Sequence, residues 1–157
     1  MMKHLSYCTV FAIMILFLAL TSCTPESCFE ETNAFLKGTF YSVSSGKSVA
    51  QAPDSLTMYG INPVLTKLYS KASKVQPAYI PLNPGNDFCS YIIKINGIVD
   101  TVKFWYSTYP HLISVECGYT FYHSIDSVSY TKNKIVEIEI KNKNVTTLKE
   151  ENIRIYF

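Results

Sequence analysis

The sequence carries little charge and concentrates none of it. Only 17% of its 157 residues are charged, and the formal net charge is +2. Proteins that bind nucleic acid need a concentrated basic surface to neutralise phosphates, and no such run is present here. Lysines and glutamates are instead interspersed, which is typical of an ordinary solvated surface. We therefore expect no nucleic-acid partner.

The sequence also lacks the familiar motifs of catalysis and metal binding. It has no G-x-S-x-G turn, no phosphate-cradling glycine loop and no H-E-x-x-H segment. One catalytic set can be drawn, with Cys117 as nucleophile, His123 as base and Asp126 as its orienting acid, but the spacing does not require it. We predict a protein that is not an enzyme and that uses no metal and no cofactor.

Only one long apolar run is present, and it is too short to cross a bilayer. Residues 10–20 read VFAIMILFLAL and follow a start that contains Lys3 and His4. A membrane-spanning helix needs about 20 apolar residues. A charged start and a short apolar core are typical of a secretory signal peptide, so we assign residues 1–22 to a cleaved signal.

The end of this run, LTSC at residues 20–23, resembles a bacterial lipobox. The resemblance implies cleavage between Ser22 and Cys23, lipidation of Cys23 and a palmitate-type acyl anchor. Several acyl chains hold a protein firmly, because each buried methylene contributes about 0.8 kcal/mol. Thr24 replaces the aspartate that marks retention in the inner membrane, which favours the outer membrane, on its periplasmic or surface face. The alternative is an ordinary secreted protein with an incidental cysteine.

Past a short tether at residues 23–33, alternation of apolar and polar residues recurs along the chain. Asn96-Gly97 suits a tight hairpin turn within residues 89–106. The buried face of that hairpin would carry Cys89, Tyr91, Ile93, Val102, Phe104 and Tyr106. Two later runs are predicted to bury Val136, Ile138 and Ile140, and Ile153, Ile155 and Phe157. Residues 63–73 are the only short helical candidate.

Roughly eight short strands separated by turns predict one all-β domain at residues 34–157. We expect an antiparallel β-sandwich, either immunoglobulin-like or transthyretin-like. A small closed barrel is the main alternative.

Three cysteines remain for the fold once Cys23 is lipidated. An oxidising compartment makes one disulfide plausible, and three pairings are open. Cys89 shares a face with apolar residues, where a free cysteine packs as a small hydrophobe. We favour a bond between Cys28 and Cys117.

Three of the four aspartates open Asp-Ser/Thr-aliphatic triplets, at residues 54–56, 100–102 and 126–128. These triplets resemble the O-glycosylation acceptor motif of exported proteins in Bacteroidota-type bacteria. The resemblance implies sugars on Ser55, Thr101 and Ser127. The alternative is that strands are simply rich in serine, threonine and valine.

The single tryptophan, Trp105, falls on the less apolar face of its strand with Lys103 and Ser107. An outward tryptophan beside Tyr109 would suit stacking on a sugar or a peptide. Packing beneath a second sheet or loop is the more ordinary outcome for such a residue.

Several stretches together resemble an uncharacterised lipoprotein family, a domain of unknown function, of Bacteroidota-type Gram-negative bacteria. They are SLTMYGI, KLYSKASKVQPAYIPLNP, the segment from SYIIKING to GYTFYH, and EENIRIYF. The resemblance implies an envelope location and brings no active site. We predict a membrane-anchored cell-envelope lipoprotein that acts as a protein-interaction or structural module, with an envelope protein as partner. The alternative is a surface module that binds a glycan or a small ligand.

Overall fold

The computed structural model describes residues 28–61 and 66–157. The predicted signal peptide, the cleavage site at Ser22 and the lipidation site at Cys23 lie outside these ranges. The described strands are β1 (Phe35–Ser44), β2 (Lys47–Ala50), β3 (Leu56–Gly60), β4 (Thr66–Ala72), β5 (Ala78–Pro81), β6 (Phe88–Ile95), β7 (Ile98–Ser114), β8 (Gly118–Tyr130), β9 (Glu137–Ile140), β10 (Asn144–Val145) and β11 (Ile153–Tyr156).

The strands form two sheets that enclose one apolar core. The first has the order β2-β1-β11-β9, with β5 also paired to β1, and the second has the order β10-β8-β7-β6-β3-β4. Leu36 and Phe40 of the first sheet and Phe104 and Ile125 of the second are all fully buried in this core. The all-β, sandwich-like class is therefore confirmed.

One strand pair departs from the predicted antiparallel arrangement. β1 and β11 run parallel, with Gly38 opposite Ile153 and Phe40 opposite Ile155. Parallel neighbours need a long connection between them. Here the whole second sheet lies between these two strands along the chain, and no local pattern in the sequence reveals such a pairing.

The hairpin of β6 and β7 has the predicted register. Ile95 lies opposite Ile98, and the two turn residues, Asn96 and Gly97, have φ values of 49° and 94°. All six residues predicted to share its inner face are buried. This agreement arises because a two-residue turn fixes the register, and the register fixes which side chains face the core.

Substituting Gly97 with alanine is expected to lower the free energy of unfolding by about 1 kcal/mol. An added Cβ would meet nothing within 4 Å, so the cost comes from the backbone, whose φ of +94° disfavours residues with a side chain. Urea unfolding would measure the change. Gly85→Ala is the matched control, because no such φ restricts it, and an equal loss in both variants would contradict the explanation.

Two local predictions from the sequence are wrong. Residues 66–72, inside the helical candidate, form β4 at the edge of the second sheet, where β3 offers backbone partners. Val136 is exposed, whereas Ile135 is buried. The reason is that Asp100 accepts a hydrogen bond from the Ile135 backbone N–H, so the chain enters β9 only at Glu137 and the alternation begins later than expected.

The hairpin of β7 and β8 is the longest feature of the fold. β7 has 17 residues, which correspond to about 56 Å at the usual rise per residue. Residues 111–114 end β7, residues 115–117 form the turn, and β8 begins at Gly118. A bulge at Asp126 shifts the register, since Trp105 lies opposite Ser127 and Tyr106 opposite Ile125.

Candidate functional site

The start of the described chain is bonded to the end of the long hairpin. Cys28 and Cys117 form a disulfide with Cα atoms 4.8 Å apart, and Cys117 lies in the turn between β7 and β8. The Thr120 hydroxyl donates a 2.6 Å hydrogen bond to the Thr32 carbonyl. Segment 28–34 is therefore held along β8. This is the pairing favoured from the sequence, and Cys89 is buried with a free thiol, also as predicted.

The disulfide is incompatible with the catalytic set of Cys117, His123 and Asp126 that was considered from the sequence. Cys117 has no thiolate to offer while it is bonded to Cys28. His123 is buried, its Nδ1 lies 2.8 Å from the Thr108 hydroxyl, and burial lowers the pKa of its ring. Asp126 is exposed at the bulge of β8. The structure does not bring these three residues together as nucleophile, base and acid.

Large apolar side chains are exposed around the disulfide. We call this surface the apolar tip and define it by Phe29 (91% exposed), Leu112 (46%), Val115 (87%), Tyr119 (75%) and Phe121 (50%). Within the hairpin, Leu112 lies opposite Tyr119, and Phe121 lies two residues further along β8 on the same face.

The apolar tip continues the core-facing side of the second sheet. Ile125, His123, Phe121 and Tyr119 alternate along β8, so all four point to one side. The first two are buried, whereas the last two are exposed. The hairpin therefore extends past the part of the sheet that the core covers, and its apolar face emerges into the solvent. Contiguous exposed apolar surface of this kind commonly marks an interaction site.

A cleft of about 210 Å³ lies beside the tip, between the N-terminal segment and β8. His123, Phe121 and Thr120 contribute from β8, and the remaining lining residues are Thr32, Asn33, Ala34, Phe35, Pro81, Leu82 and Pro84. The Tyr106 ring lies edge-on to His123, with centroids 5.2 Å apart. This cleft joins the exposed tip to the interior.

A second cleft, of about 370 Å³, borders the same N-terminal segment. Its charged lining residues are Glu31, Lys37 and Lys149. Lys37 is the most enclosed of them; burial lowers the pKa of its ammonium group, which donates a hydrogen bond to the Leu148 carbonyl. That hydrogen bond gives Lys37 a structural role.

Behind the first cleft lies a buried polar cluster that the sequence did not reveal. The Tyr106 hydroxyl accepts from the Asn83 backbone N–H at 3.0 Å and donates to the Asn83 carbonyl at 2.9 Å. The Cys89 thiol lies 2.9 Å from the same hydroxyl. Burial, together with the bond to Cys89, raises the pKa of Tyr106, so its hydroxyl stays protonated as a donor.

Tyr106→Phe is expected to lower the free energy of unfolding by about 2 kcal/mol, because the Asn83 backbone loses two hydrogen bonds in a partly buried place. Its N–H keeps only the longer contact with the Cys89 sulfur, at 3.4 Å, and its carbonyl keeps the Asn86 N–H at 3.2 Å. Thermal or urea unfolding would measure the loss. Tyr109→Phe is the matched control on the same strand, since its hydroxyl has no hydrogen-bond partner among residues 28–61 and 66–157 and the residue is 40% exposed. Equal effects of the two substitutions would contradict this account of the cluster.

Trp105 and Tyr109 do not form one stacking site. They lie four residues apart on the outer side of β7, about 13 Å from each other. Trp105 is half-buried, and the Lys103 ammonium lies 4.6 Å from its ring centroid and 3.9 Å from that of Phe88. This contact is a cation–π interaction, and it covers a ring face that a ligand would need.

Tyr109 belongs instead to a cluster that sequence reasoning missed. Its ring meets Tyr122 edge-on with centroids 6.1 Å apart, and His111 stacks on Tyr122 at 4.1 Å. We call Tyr109, His111 and Tyr122 the outer aromatic cluster. The register of β7 on β8 brings them together, and that register includes a bulge that cannot be read from spacing.

The predicted glycosylation sites differ in accessibility. Thr101 and Ser127 are exposed, and Ser55 is half-buried. Modification of all three stays a prediction. The triplet at residues 100–102 also has a structural explanation, because Asp100 is buried and holds the loop before β9.

Within residues 28–61 and 66–157, no three histidine, cysteine, aspartate or glutamate side chains come close enough to hold a metal ion. In the same part of the chain, no helix has the length and apolar character that crossing a membrane requires.

Comparison with protein families gives one match. The profile of DUF6452, a family of unknown function, matches residues 55–157. The chain belongs to the DUF6452 family. No curated protein and no solved structure matches the chain.

The DUF6452 match contains the long hairpin, Cys117 and most of the apolar tip, but not Cys28 or β1. β1 nevertheless lies inside the first sheet, between β2 and β11, and contributes Leu36 and Phe40 to the core. The structural unit of this DUF6452 protein therefore begins before the matched region, and the disulfide joins a residue outside the match to one inside it.

Proposed function

We propose that this DUF6452 protein is a cell-envelope lipoprotein, anchored to the membrane through Cys23, whose β-sandwich is a non-enzymatic protein-interaction or structural module. The observation that carries the proposal is the disulfide between Cys28 and Cys117. Disulfides persist in oxidising compartments outside the cytosol, so the bond agrees with export by the predicted signal. Because the bond joins Cys28 to Cys117, it does not use Cys23, the cysteine of the lipobox-like sequence.

The interaction half of the proposal is supported by the surface around the disulfide. The apolar tip exposes several large apolar side chains together, whereas such side chains are usually scattered singly on a solvated surface. Cys117, the nucleophile of the catalytic set considered from the sequence, is held in a covalent bond. Both features suit a module that contacts other molecules better than one that transforms them.

Metabolic labelling of the full chain with an alkyne analogue of palmitate tests the anchor. The wild type is expected to take the label, and Cys23→Ala is expected to lose it and to retain the signal peptide. Cys28→Ser is the matched control, because it removes a cysteine only five positions away and should keep the label. An unlabelled wild type, or a labelled Cys23→Ala variant, would contradict lipidation of Cys23.

Separation of the inner and outer membranes on a density gradient tests the location. We expect the labelled chain in the outer-membrane fractions, because Thr24 follows the lipidated position. Crosslinking in intact cells before affinity capture then tests the interaction role. Recovery of no envelope protein above the level of the Cys23→Ala variant would contradict a protein partner in the membrane.

A second candidate function, binding of a surface glycan or small ligand, is favoured by the outer aromatic cluster. Its rings lie on the solvent side of β7 and β8 and offer an apolar face with polar edges, as sugar stacking requires. Titration with oligosaccharides, followed by the fluorescence of Trp105, tests it. A saturable change should vanish in Tyr122→Ala and persist in Tyr79→Ala, which lies on β5 outside the cluster.

A further inference from the structure

We infer that the apolar tip is a membrane-contacting surface, which lies in the interfacial layer of the bilayer that holds the lipid anchor. This inference rests on the proposed anchoring through Cys23. It goes further, because a lipidated chain needs no apolar protein surface to stay attached, and a folded domain on a tether is free to stand away from the membrane.

The reach of the tether places the tip at the bilayer. Cys28 follows Cys23 by five positions, and an extended chain spans at most about 3.6 Å per residue, or about 18 Å in all. The disulfide then sets the Cα of Cys117 only 4.8 Å from that of Cys28. The hairpin end is therefore confined close to the lipidated residue, wherever the rest of the domain points.

The disulfide, together with the Thr120 bond, creates this confinement. If segment 28–34 were free, the first fixed point would be Phe35, and the tether would reach about 43 Å. That length exceeds the thickness of the hydrocarbon core, which is about 30 Å. Bonding the chain to the hairpin end, and not to the body of the sandwich, is what keeps one particular end of the protein near the membrane.

The chemistry of the tip suits the interfacial layer. Phe29, Val115 and Phe121 are apolar side chains that gain from leaving water. Tyr119 combines an apolar ring with a hydroxyl that stays hydrated, and tyrosine is enriched where a membrane meets water. The predicted depth is shallow, because the turn also carries the exposed carboxylate of Glu116, which requires water or headgroups around it.

The contact is apolar and not electrostatic. Residues 28–36 and 104–131 contain no lysine or arginine, whereas Glu30, Glu31 and Glu116 are exposed there. Lys37 and Lys149 line the second cleft with Glu31, and neither belongs to the apolar tip. The tip therefore has no basic patch that would attract negative headgroups, and its surface fits a zwitterionic bilayer.

The test places one tryptophan in the turn after β7 and another near the start of β7, in the full, lipidated chain. Val115→Trp labels the tip and Val99→Trp labels the opposite end, about 50 Å away along the hairpin, both in a Trp105→Phe background. The two variants carry the same substitution at exposed valines, so each controls for the other. The proteins are reconstituted into phosphatidylcholine–phosphatidylethanolamine vesicles that contain nitroxide lipids, and flotation confirms that the chain is attached.

The Val115→Trp variant should show a blue-shifted emission and quenching by a nitroxide near the top of the acyl chain, with weaker quenching by one near its end. The Val99→Trp variant should show neither. The quenching should persist when salt is raised, and it should weaken when Cys28→Ser releases the tether. Non-reducing electrophoresis confirms that the disulfide is intact in the variants that keep both cysteines.

Flotation reports on the lipid anchor, and quenching reports on the contact between the tip and the bilayer, so the two can fail separately. If the vesicles float with the protein but the tip tryptophan is not quenched, the anchor stands and the inference is overturned. If the protein does not float, the anchor itself fails. A blue shift that grows with protein density at constant lipid, without nitroxide quenching, would assign the tip to a second copy of the chain and would also overturn the inference.

Discussion

Replacing Asp100 with alanine is expected to lower the free energy of unfolding by about 3 kcal/mol or more, because it removes a buried acceptor that serves four donors. Asp100 is 1% exposed at the start of β7. Its carboxylate accepts from the Thr131 hydroxyl at 2.6 Å and from three successive backbone N–H groups, those of residues 133–135, at 2.8 to 3.0 Å. Without it, the Ile135 N–H stays buried and the Lys134 N–H half-buried with no partner, and the loop that leads into β9 loses its anchor.

The same carboxylate makes stability depend on pH at the acidic end. Burial raises the pKa of Asp100, but the hydrogen bonds from Thr131 and from the backbone outweigh burial and hold the pKa below its ordinary value of 3.8. A carboxyl with a depressed pKa in the folded state stabilises the protein above its unfolded-state pKa. This contribution is therefore full at neutral pH, starts to fall as the pH drops through about 3.8 and is lost below the folded-state pKa.

Urea unfolding at neutral and acidic pH measures both effects, and the sequence supplies a matched control. Asp126 opens the same kind of triplet as Asp100 but is exposed. Asp126→Asn should change the free energy of unfolding by less than about 0.5 kcal/mol, whereas Asp100→Asn should destabilise strongly, because an amide nitrogen cannot accept from the loop N–H groups. If the two variants behave alike, the anchoring role of Asp100 is wrong.

Removal of the disulfide is expected to lower the free energy of unfolding by about 4 kcal/mol, provided that the folded state stays unchanged. Cys28 and Cys117 are 89 residues apart, so the bond closes a loop that includes most of the domain. Opening such a loop restores conformational entropy to the unfolded chain, which is the main way a disulfide stabilises a protein. The separation between the two cysteines makes this expected effect large.

Cys117→Ser, Cys28→Ser and the double variant should all lose the same amount, because each lacks the same bond. Treatment of the wild type with a reductant should reproduce the loss, and the variants should not respond to it. Additive losses in the double variant would show that the two cysteines act separately. Cys89 is unsuitable as a control, since its thiol is buried against Tyr106.

Local patterns were predictable from the sequence where a short-range rule decides the structure. The turn at Asn96-Gly97 needs positive φ at both positions, and the sequence offers the residues that adopt it. The inner face of the following hairpin and the burial of Ile153, Ile155 and Phe157 followed from alternation alone. The pairing of Cys28 with Cys117 followed from placing Cys89 on an apolar face.

Features that depend on distant contacts were not predictable. β4 pairs with β3 because a sheet edge is available to it, although its sequence also suits a short helix. Val136 is exposed because Asp100, more than thirty residues earlier, sets where β9 begins. The joining of Tyr109 to Tyr122 depends on the register of two long strands.

By itself, the sequence determined the all-β class and the short-range hairpin, because each depends on residues that are neighbours in the chain. The signal and the anchor at Ser22 and Cys23 stay predictions from the same kind of local pattern. Only the tertiary structure decided that the first and last strands pair in parallel, that Asp100 holds the loop before β9, and that the hairpin end carries an exposed apolar tip beside the Cys28–Cys117 bond. The physical reason is that such contacts join residues far apart in sequence. Their formation depends on the loop-closure entropy and the packing of the whole domain, which no local pattern records.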